Sequence, residues 1–324
     1  MHQYLFHQMH DRLLRAKRVL LIADERIDGD SLGSSLAVAD YLHRLGTPFR
    51  VLVSGPVPEK YRFLPHADWC TDDPAVLADP HIDLAVSFDC SNEVYVNRLL
   101  SQVPHRPFLI NVDHHKTNVG YGDLNLVFVE APATCEVVHQ FFDVNRIVPS
   151  KQSATVLLCG IAFDTTVFFN DGTNARAFDA ASQLVLHGAR PHDVIRLLFR
   201  NRTVPALRMW GTALERLRRH AESGCVSTCI LRRDIEENDV TDDEVDGLSD
   251  FLNVVVNAHT LFVLKETREG GIKVSMRTSV YDVARLARAF GGGGHVKAAG
   301  FTLRHACLVP GEGNAWRVAS LPRT

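Results

Sequence analysis

A carboxylate and two imidazoles stand in a row at Asp113-His114-His115, directly after the apolar run Phe108-Leu109-Ile110-Asn111-Val112. Such groups are costly to bury, so at the end of a hydrophobic strand they read as side chains aimed into a cleft. Other apolar runs close on acid in the same way. Val19 to Ala23 leads into Asp24, Asp28 and Asp30, Leu84 to Phe88 into Asp89, and the helical run Ala154 to Phe163 into Asp164. Each has an ordinary reading by itself: Asp28-Gly29-Asp30 as a turn, Asp89 as a helix cap, Asp24 as an exposed residue beside Glu25. Converging at one end of a sheet, they would repel one another severely unless cations neutralised them. Imidazole with carboxylate suits transition metals. Two divalent ions about 3.5–4 Å apart activate a water and stabilise in-line attack at phosphorus.

The elements that must gather these groups follow from the hydrophobic pattern. Short apolar runs at 19–23, 49–53, 84–88, 108–112 and 124–129 read as strands, and 32–45, 132–142, 154–163 and 175–186 as helices. The alternation predicts an α/β fold: a doubly wound, mainly parallel sheet, which binds ligands at the C-terminal ends of its strands. The basic segment 194–219, broken by Pro205, reads as a connection between domains. Its Arg196, Arg200, Arg202 and Arg208 either line a cleft or form a solvated face. Beyond it, 226–231, 260–265 and 272–276 are expected to be antiparallel strands. The acidic stretch 234–250 carries a helix-start signal at Thr241. A helix at 283–290 runs into Gly291-Gly292-Gly293-Gly294-His295, and 298–303 reads as a last strand. This second part is expected to be a smaller α/β domain with a mixed sheet. The division is a metal-binding domain at 1–190, a helical linker at 191–222, a second domain at 223–305, and a tail at 306–324 with no assigned pattern.

Bulk properties narrow the classes. The chain has 324 residues, 46% hydrophobic and 23% charged, ordinary for about two globular domains. A formal net charge of −3 offers no basic footprint for a long duplex. Seven cysteines, odd in number and irregular in spacing, read as free thiols of a reducing cytosol. No run approaches the ~18 apolar residues of a membrane span, so no membrane partner is expected and the location is read as cytoplasmic. His2, His7 and His10 read as surface residues.

Five blocks then occur in a recognisable order: Asp28-Gly29-Asp30-Ser31-Leu32-Gly33-Ser34, Asp89, Asn111 to Asn118 around the Asp-His-His triplet, Gly160-Ile161-Ala162-Phe163-Asp164-Thr165, and Gly291 to His295 with Ala298-Ala299-Gly300-Phe301. From about Val19 to Leu303 the chain resembles the DHH phosphoesterase superfamily, and within it the NrnA-like oligoribonuclease/pAp phosphatase group, which is RecJ-like with a DHH-associated C-terminal domain. The resemblance implies two divalent cations, manganese foremost, with magnesium or cobalt as alternatives. One would be held by Asp28, Asp89 and the residue at position 24, the other by Asp30, Asp89, His114 and Asp164, with Asp89 bridging. Position 24 departs from the pattern, because the family has histidine where this chain has Asp24. Asp113 would orient a ligand imidazole and His115 would face the phosphate or the attacking water. Lys116, Ser275, Arg277, Gly292, Gly293, Gly294 and His295 would contact substrate. The implied substrates are short single-stranded RNA or dinucleotides, and pAp; a homodimer stays open. Alternatives are a RecJ-like single-strand exonuclease, a linear or cyclic dinucleotide phosphodiesterase, and a nucleotide-binding protein with an impaired metal site.

Overall fold

The computed structural model describes residues 3–170, 172–199, 202–294, 296–311 and 316–320. The chain forms two compact units, Met1–Asn201 and Arg202–Thr324. The first opens with α1 (Gln3–Arg15), β1 (Val19–Ile22), α2 (Gly29–Leu45), β2 (Phe49–Leu52), β3 (Cys70–Thr71), β4 (Leu84–Phe88) and α3 (Glu93–Leu100). It continues through β5 (Phe108–Asp113), β6 (Leu124–Val127), α4 (Thr134–Val144), α5 (Lys151–Asp164), α6 (Ala175–Leu186) and α7 (Pro191–Phe199).

Its six strands pair in the order β3-β2-β1-β4-β5-β6, all parallel. Apolar side chains on both faces explain why β1 reads as a continuous hydrophobic run. Val19 and Leu21 enter the larger core with residues of α2, α4 and α5, while Leu20 and Ile22 enter a second core with residues of α3. The chain leaves β1 towards β2 and leaves β4 towards β5, on the other side. The topological switch point therefore lies between β1 and β4, where the loops diverge and leave a crevice at the strands' C-terminal ends.

The amphipathic N-terminus folds as α1 and buries Phe6, Met9 and Leu13, a spacing that puts them on one helix face. Phe6 stacks on Phe128 at 5.4 Å. His7 is exposed, as expected, and His10 is half-buried; both bond to the rest of the unit. His7 Nδ1 lies 2.8 Å from Asn145 Oδ1 and His10 Nε2 2.7 Å from the Tyr41 hydroxyl. His2 lies outside the described residues.

The second unit comprises α8 (Val204–Glu215), β7 (Arg218–Arg219), β8 (Val226–Ile230), α9 (Arg232–Glu237), α10 (Asp242–Val245), α11 (Leu248–Val255), β9 (Thr260–Glu266) and β10 (Gly271–Thr278). After these come α12 (Val283–Ala289), β11 (Gly293–Gly294), β12 (Ala298–Arg304), β13 (Ala306–Pro310) and β14 (Trp316–Ser320). The sheet order is β11-β12-β10-β9-β8-β7. The sheet is mixed, and one expectation is corrected: β8 runs parallel to β9, whereas β9, β10 and β12 are antiparallel. The intervening helical stretch α9–α11 makes that crossover, which a sequence of short runs does not reveal. The tail left without assignment forms an antiparallel hairpin, β13 with β14.

The segment read as linker supplies α7 to the first unit and α8 to the second. Of its arginines, Arg196 stacks over Phe63 at 5.1 Å. Arg202 covers Trp210 at 4.9 Å and donates to the Glu244 carbonyl. Arg208 is exposed and Arg200 lies outside the described residues. Among the described residues, no helix is long and apolar enough to cross a membrane.

Candidate metal centre

Asp28 is the N-cap of α2, which starts earlier than the apolar pattern suggests. Its Oδ1 accepts the backbone N–H groups of Asp30 at 3.1 Å and Ser31 at 2.9 Å, so Asp-Gly-Asp opens a helix rather than closing a turn. Asp30, in the first turn, is fully buried, with its carboxylate on the N-terminus of α4. Oδ2 accepts from Thr134 N at 2.6 Å and Oδ1 from Cys135 N at 2.8 Å. A helix N-terminus is a favourable seat for a negative charge.

Asp89 directly follows β4 and holds a left-handed φ of 61°, a conformation aspartate tolerates better than most residues. Its Oδ1 accepts from the Thr134 hydroxyl at 2.9 Å. The cap of α3 is Asn92, whose side chain accepts from Tyr95 N, so Asp89 is available for the crevice. Asp164 arrives from the end of α5. The crossing of α2 and α5 is close enough that a Cβ on Gly33 would sit 2.6 Å from the Val156 carbonyl oxygen and 2.8 Å from Cys135 Sγ. Glycine is therefore required there, and the close crossing draws Asp30 and Asp164 to one point.

The two histidines are held differently. His114 Nδ1 lies 3.1 Å from the Ala131 carbonyl; a carbonyl only accepts, so Nδ1 carries the proton and Nε2 points inward. Nε2 lies 3.1 Å from Asp164 Oδ2 and 3.5 Å from Asp89 Oδ1, yet it is buried without an aligned hydrogen-bond partner among the described residues. Asp113 Oδ1 accepts from the backbone of His114 at 2.7 Å and from His115 Nδ1 at 2.8 Å, and Oδ2 from Asn118 at 2.6 Å. The imidazole that Asp113 orients is thus His115, not His114. His115 Nδ1 is also 3.6 Å from Asp89 Oδ1.

Electrostatics matches this crowding. Burial, then Asp164 and Asp30, push Asp28 up to about 7. Burial and Asp164 push Asp30 up to about 6, with His114 opposing them. Burial, then Asp30, Asp28, Asp164 and Asp113, hold Asp89 well above the usual range. Burial alone would lower His114, but Asp164 and Asp30 raise it to about 9. Asp113 goes the other way: burial would raise it, but its bonds to His115 and Asn118 prevail and hold it low. Asp113 positions His115, whose own pKa is raised by Asp113 against the pull of burial.

Among the described residues, two groups of side chains have one ligand atom each within 4.8 Å of one another: Asp89 with His114 and His115, and Asp30 with His114 and Asp164. Two observations fit this set to divalent cations. His114 presents a buried, unpartnered imidazole nitrogen, and carboxylates that repel hard enough to retain protons near neutral pH surround it. His115, expected to face phosphate, belongs to the first group. Asp24 belongs to neither: its Oδ2 accepts from Arg26 N at 2.9 Å and its charge acts on Cys90 and Tyr95.

Among the residues expected to contact substrate, Lys116 is exposed on the loop after β5. In the second unit, Ser275 and Arg277 lie on β10, and Asp250 of α11 holds the Arg277 guanidinium at 2.8 Å. Gly293 and Gly294 form β11 against Gly300 and Ala299 of β12. A Cβ on Gly294, whose φ is 133°, would meet the Ala298 carbonyl oxygen at 2.6 Å, and Gly292 is equally tight against Phe301. His295 lies outside the described residues. Sequence reasoning missed Thr134 and the Cys135 amide, which seat Asp89 and Asp30, and the Ala131 carbonyl behind His114. Pro132 marked a helix start there, two residues early, and was the available signal.

Comparison with known proteins agrees. The model of the DHH family, N-terminal domain, matches residues 18–161, and that of the DHHA1 domain matches residues 222–310. The bifunctional oligoribonuclease and PAP phosphatase NrnA of Thermus thermophilus is 33% identical over 279 residues, 86% of this chain and 81% of that protein. The protein of the same name from Bacillus subtilis is 22% identical, over 88% and 89% of the two chains. A crystal structure of an exopolyphosphatase-related protein from Bacteroides fragilis shares the fold, with a TM-score of 0.84 at 20% identity over 92% and 91% of the chains. With the motifs in order, and the acidic and imidazole groups of the first four gathered at the switch point, this chain belongs to the DHH phosphoesterase family, in its NrnA-like branch.

Proposed function

We propose that this protein hydrolyses short oligoribonucleotides to nucleoside monophosphates, and the 3′-phosphate of pAp, with the cluster at the switch point as its catalytic centre. The observation that carries the reading is the meeting of Asp30, Asp89, His114 and Asp164 around one unpartnered imidazole nitrogen. The substrate class is supported by the Thermus relative, a bifunctional oligoribonuclease and PAP phosphatase by name. The unpaired state of all seven cysteines fits a reducing compartment.

Asp28, Asp30, Asp89, His114 and Asp164 would hold two divalent cations, manganese foremost, with Asp24 beside them at the end of β1. Such ions supply Lewis acidity at the phosphoryl group and make water a nucleophile near neutral pH. The chain's own residues do the rest. Asp30 and Asp89 are fixed by Thr134 and the α4 N-terminus, so the ligand set is organised before anything binds. Asp113 accepts the Nδ1 proton of His115 and thereby assigns proton exchange to its Nε2. Lys116 would meet the phosphate from the first unit. Ser275, Arg277, His295 and the backbone of Gly292, Gly293 and Gly294 would take the nucleotide end in the second.

The test is manganese-dependent release of monophosphates from RNA of increasing length. A preference for two to about five nucleotides fits this reading. Preference for long single strands would point to a RecJ-like exonuclease. Retained nucleotide binding with no turnover under any divalent ion would leave a binding protein.

A further inference from the structure

We propose that Asn111 is a positioning residue that fixes Asp113, and through it His115, for the hydrolysis described above; its effect on turnover rests on that reading. Asn111 stands two residues before Asp113 on β5, so the two side chains leave the strand on one face. It is fully buried, and a buried amide is kept only where its donors and its acceptor find partners. Its Nδ2 donates to Asn118 Oδ1 at 2.9 Å and to Asn125 Oδ1 at 3.1 Å. Its Oδ1 accepts from Asn118 Nδ2 at 3.2 Å. Asn118 is thus gripped at both ends of its amide, and its Nδ2 also donates to Asp113 Oδ2 at 2.6 Å.

The direction of these bonds is set from the backbone. Gly120 N donates to Asn118 Oδ1 at 2.8 Å and Gly122 N to Asn125 Oδ1 at 2.9 Å, and a backbone N–H can only donate. Those two oxygens therefore face their glycine amides, and the nitrogen of Asn111 must be the atom turned towards both. Asn118 is left with its own nitrogen towards Asp113, whose carboxylate only accepts. Asn125 ties in the neighbouring strand, because it pairs with Asn111 across β5 and β6. Asp113 Oδ2 is thereby capped, and Oδ1 is left for His115 Nδ1 at 2.8 Å. A fully satisfied buried network of this kind holds one arrangement. Leucine at position 111 would free the Asn118 side chain to turn. Being fully buried, Asn111 meets no substrate and acts only through Asp113 and His115.

Asn111→Leu keeps the approximate size and removes the amide. Turnover of a dinucleotide with manganese is measured for this variant, for His115→Ala and for the double variant. Long-range proton–nitrogen NMR spectra of the full-length metal-free protein at alkaline pH report which ring nitrogen of His115 carries the proton. The expected kcat of Asn111→Leu is lower by about 10–100-fold, with KM within about twofold because no substrate contact is lost. In the His115→Ala background the same substitution should change kcat by less than about twofold, since residues acting in one network are not additive. His115 should carry its proton on Nδ1 in the parent and lose that preference in the variant. A merely structural role would lower the melting temperature and leave the kcat of the folded protein and the His115 spectrum unchanged; that result overturns the inference. An equal loss of kcat in both backgrounds overturns it as well. If Asn111→Leu does not fold, Asn118→Ser, at a half-buried loop position, withdraws the amide that reaches Asp113 and carries the same expected and overturning spectra. A parent without turnover defeats the functional reading, and the spectra alone still decide the role of Asn111.

Discussion

Replacing Asp28 by asparagine removes a charge while keeping a cap. Asparagine offers the same Oδ1 to the amides of Asp30 and Ser31 and is as good an N-cap as aspartate. What disappears is the negative charge that burial, Asp164 and Asp30 resist, raising the carboxyl from 3.8 to about 7. At ~1.4 kcal/mol per pH unit, that rise corresponds to about 4 kcal/mol. Asp28 is half-buried, so solvent screening reduces it to about 2 kcal/mol. The folded carboxyl binds its proton more tightly than the unfolded one. The folded state therefore holds more protons between about pH 4 and 7, and metal-free stability falls as pH rises through that window. In chelator at about pH 8, the Asp28→Asn protein should be more stable than the parent by about 2 kcal/mol, a rise of about 4–8 °C in melting temperature for a unit of this size. The gap should close towards pH 4. Saturating manganese should shrink or reverse it, because the parent gains about 2.7 kcal/mol from an ion at a hundredfold its Kd and the variant has lost a ligand. Scanning calorimetry across pH, with chelator and with manganese, measures all of this. A variant no more stable than the parent at pH 8 in chelator, or a gap indifferent to pH, would refute the electrostatic account.

Gly160→Ala pushes a methyl onto Cys135 Sγ and to within 3.0 Å of Asp30 Oδ1; it should cost about 1–3 kcal/mol in urea titrations and lower turnover. Thr134→Val deletes the hydroxyl donor to Asp89 and should weaken manganese binding in calorimetric titrations, at a stability cost of about 1–3 kcal/mol. Asp28 at about 7, Asp30 at about 6 and His114 at about 9 must shed protons to bind cations, so manganese affinity should climb from about pH 6 to 9, with proton release visible in buffers of different ionisation enthalpy; binding without proton release contradicts this. Asp24→Ala should reduce manganese-linked stabilisation less than Asp89→Asn, since Asp24 stands outside both ligand groups; equal losses in melting shifts would place Asp24 among the ligands.

Five of the six parallel strands were legible in the sequence as short apolar runs, and β1, β4 and β5, the most buried, lead into the acid or imidazole presented at the crevice; the two-residue β3 carries no such run. The order of the motifs identified the family for the same reason, since chemistry at strand ends is local in sequence. Three further things were not legible. The direction of β8 depends on a crossover through α9–α11. The hairpin of β13 and β14 pairs two short stretches that carry no strong periodicity. The assignment of roles within Asp113-His114-His115 is the third. Neighbours in sequence, the two imidazoles receive different partners, Ala131 for one and Asp113 for the other, because a carbonyl and a carboxylate from different turns reach them only after folding. The sequence by itself determined which groups could do chemistry and at which strand ends they stand. Only the tertiary structure decided that Asp30 sits on the amides of α4 and that Gly33 and Gly160 let α2 and α5 cross close enough to bring Asp164 to His114. Those contacts join residues from dozens to more than a hundred positions apart, and close packing rather than local pattern specifies them.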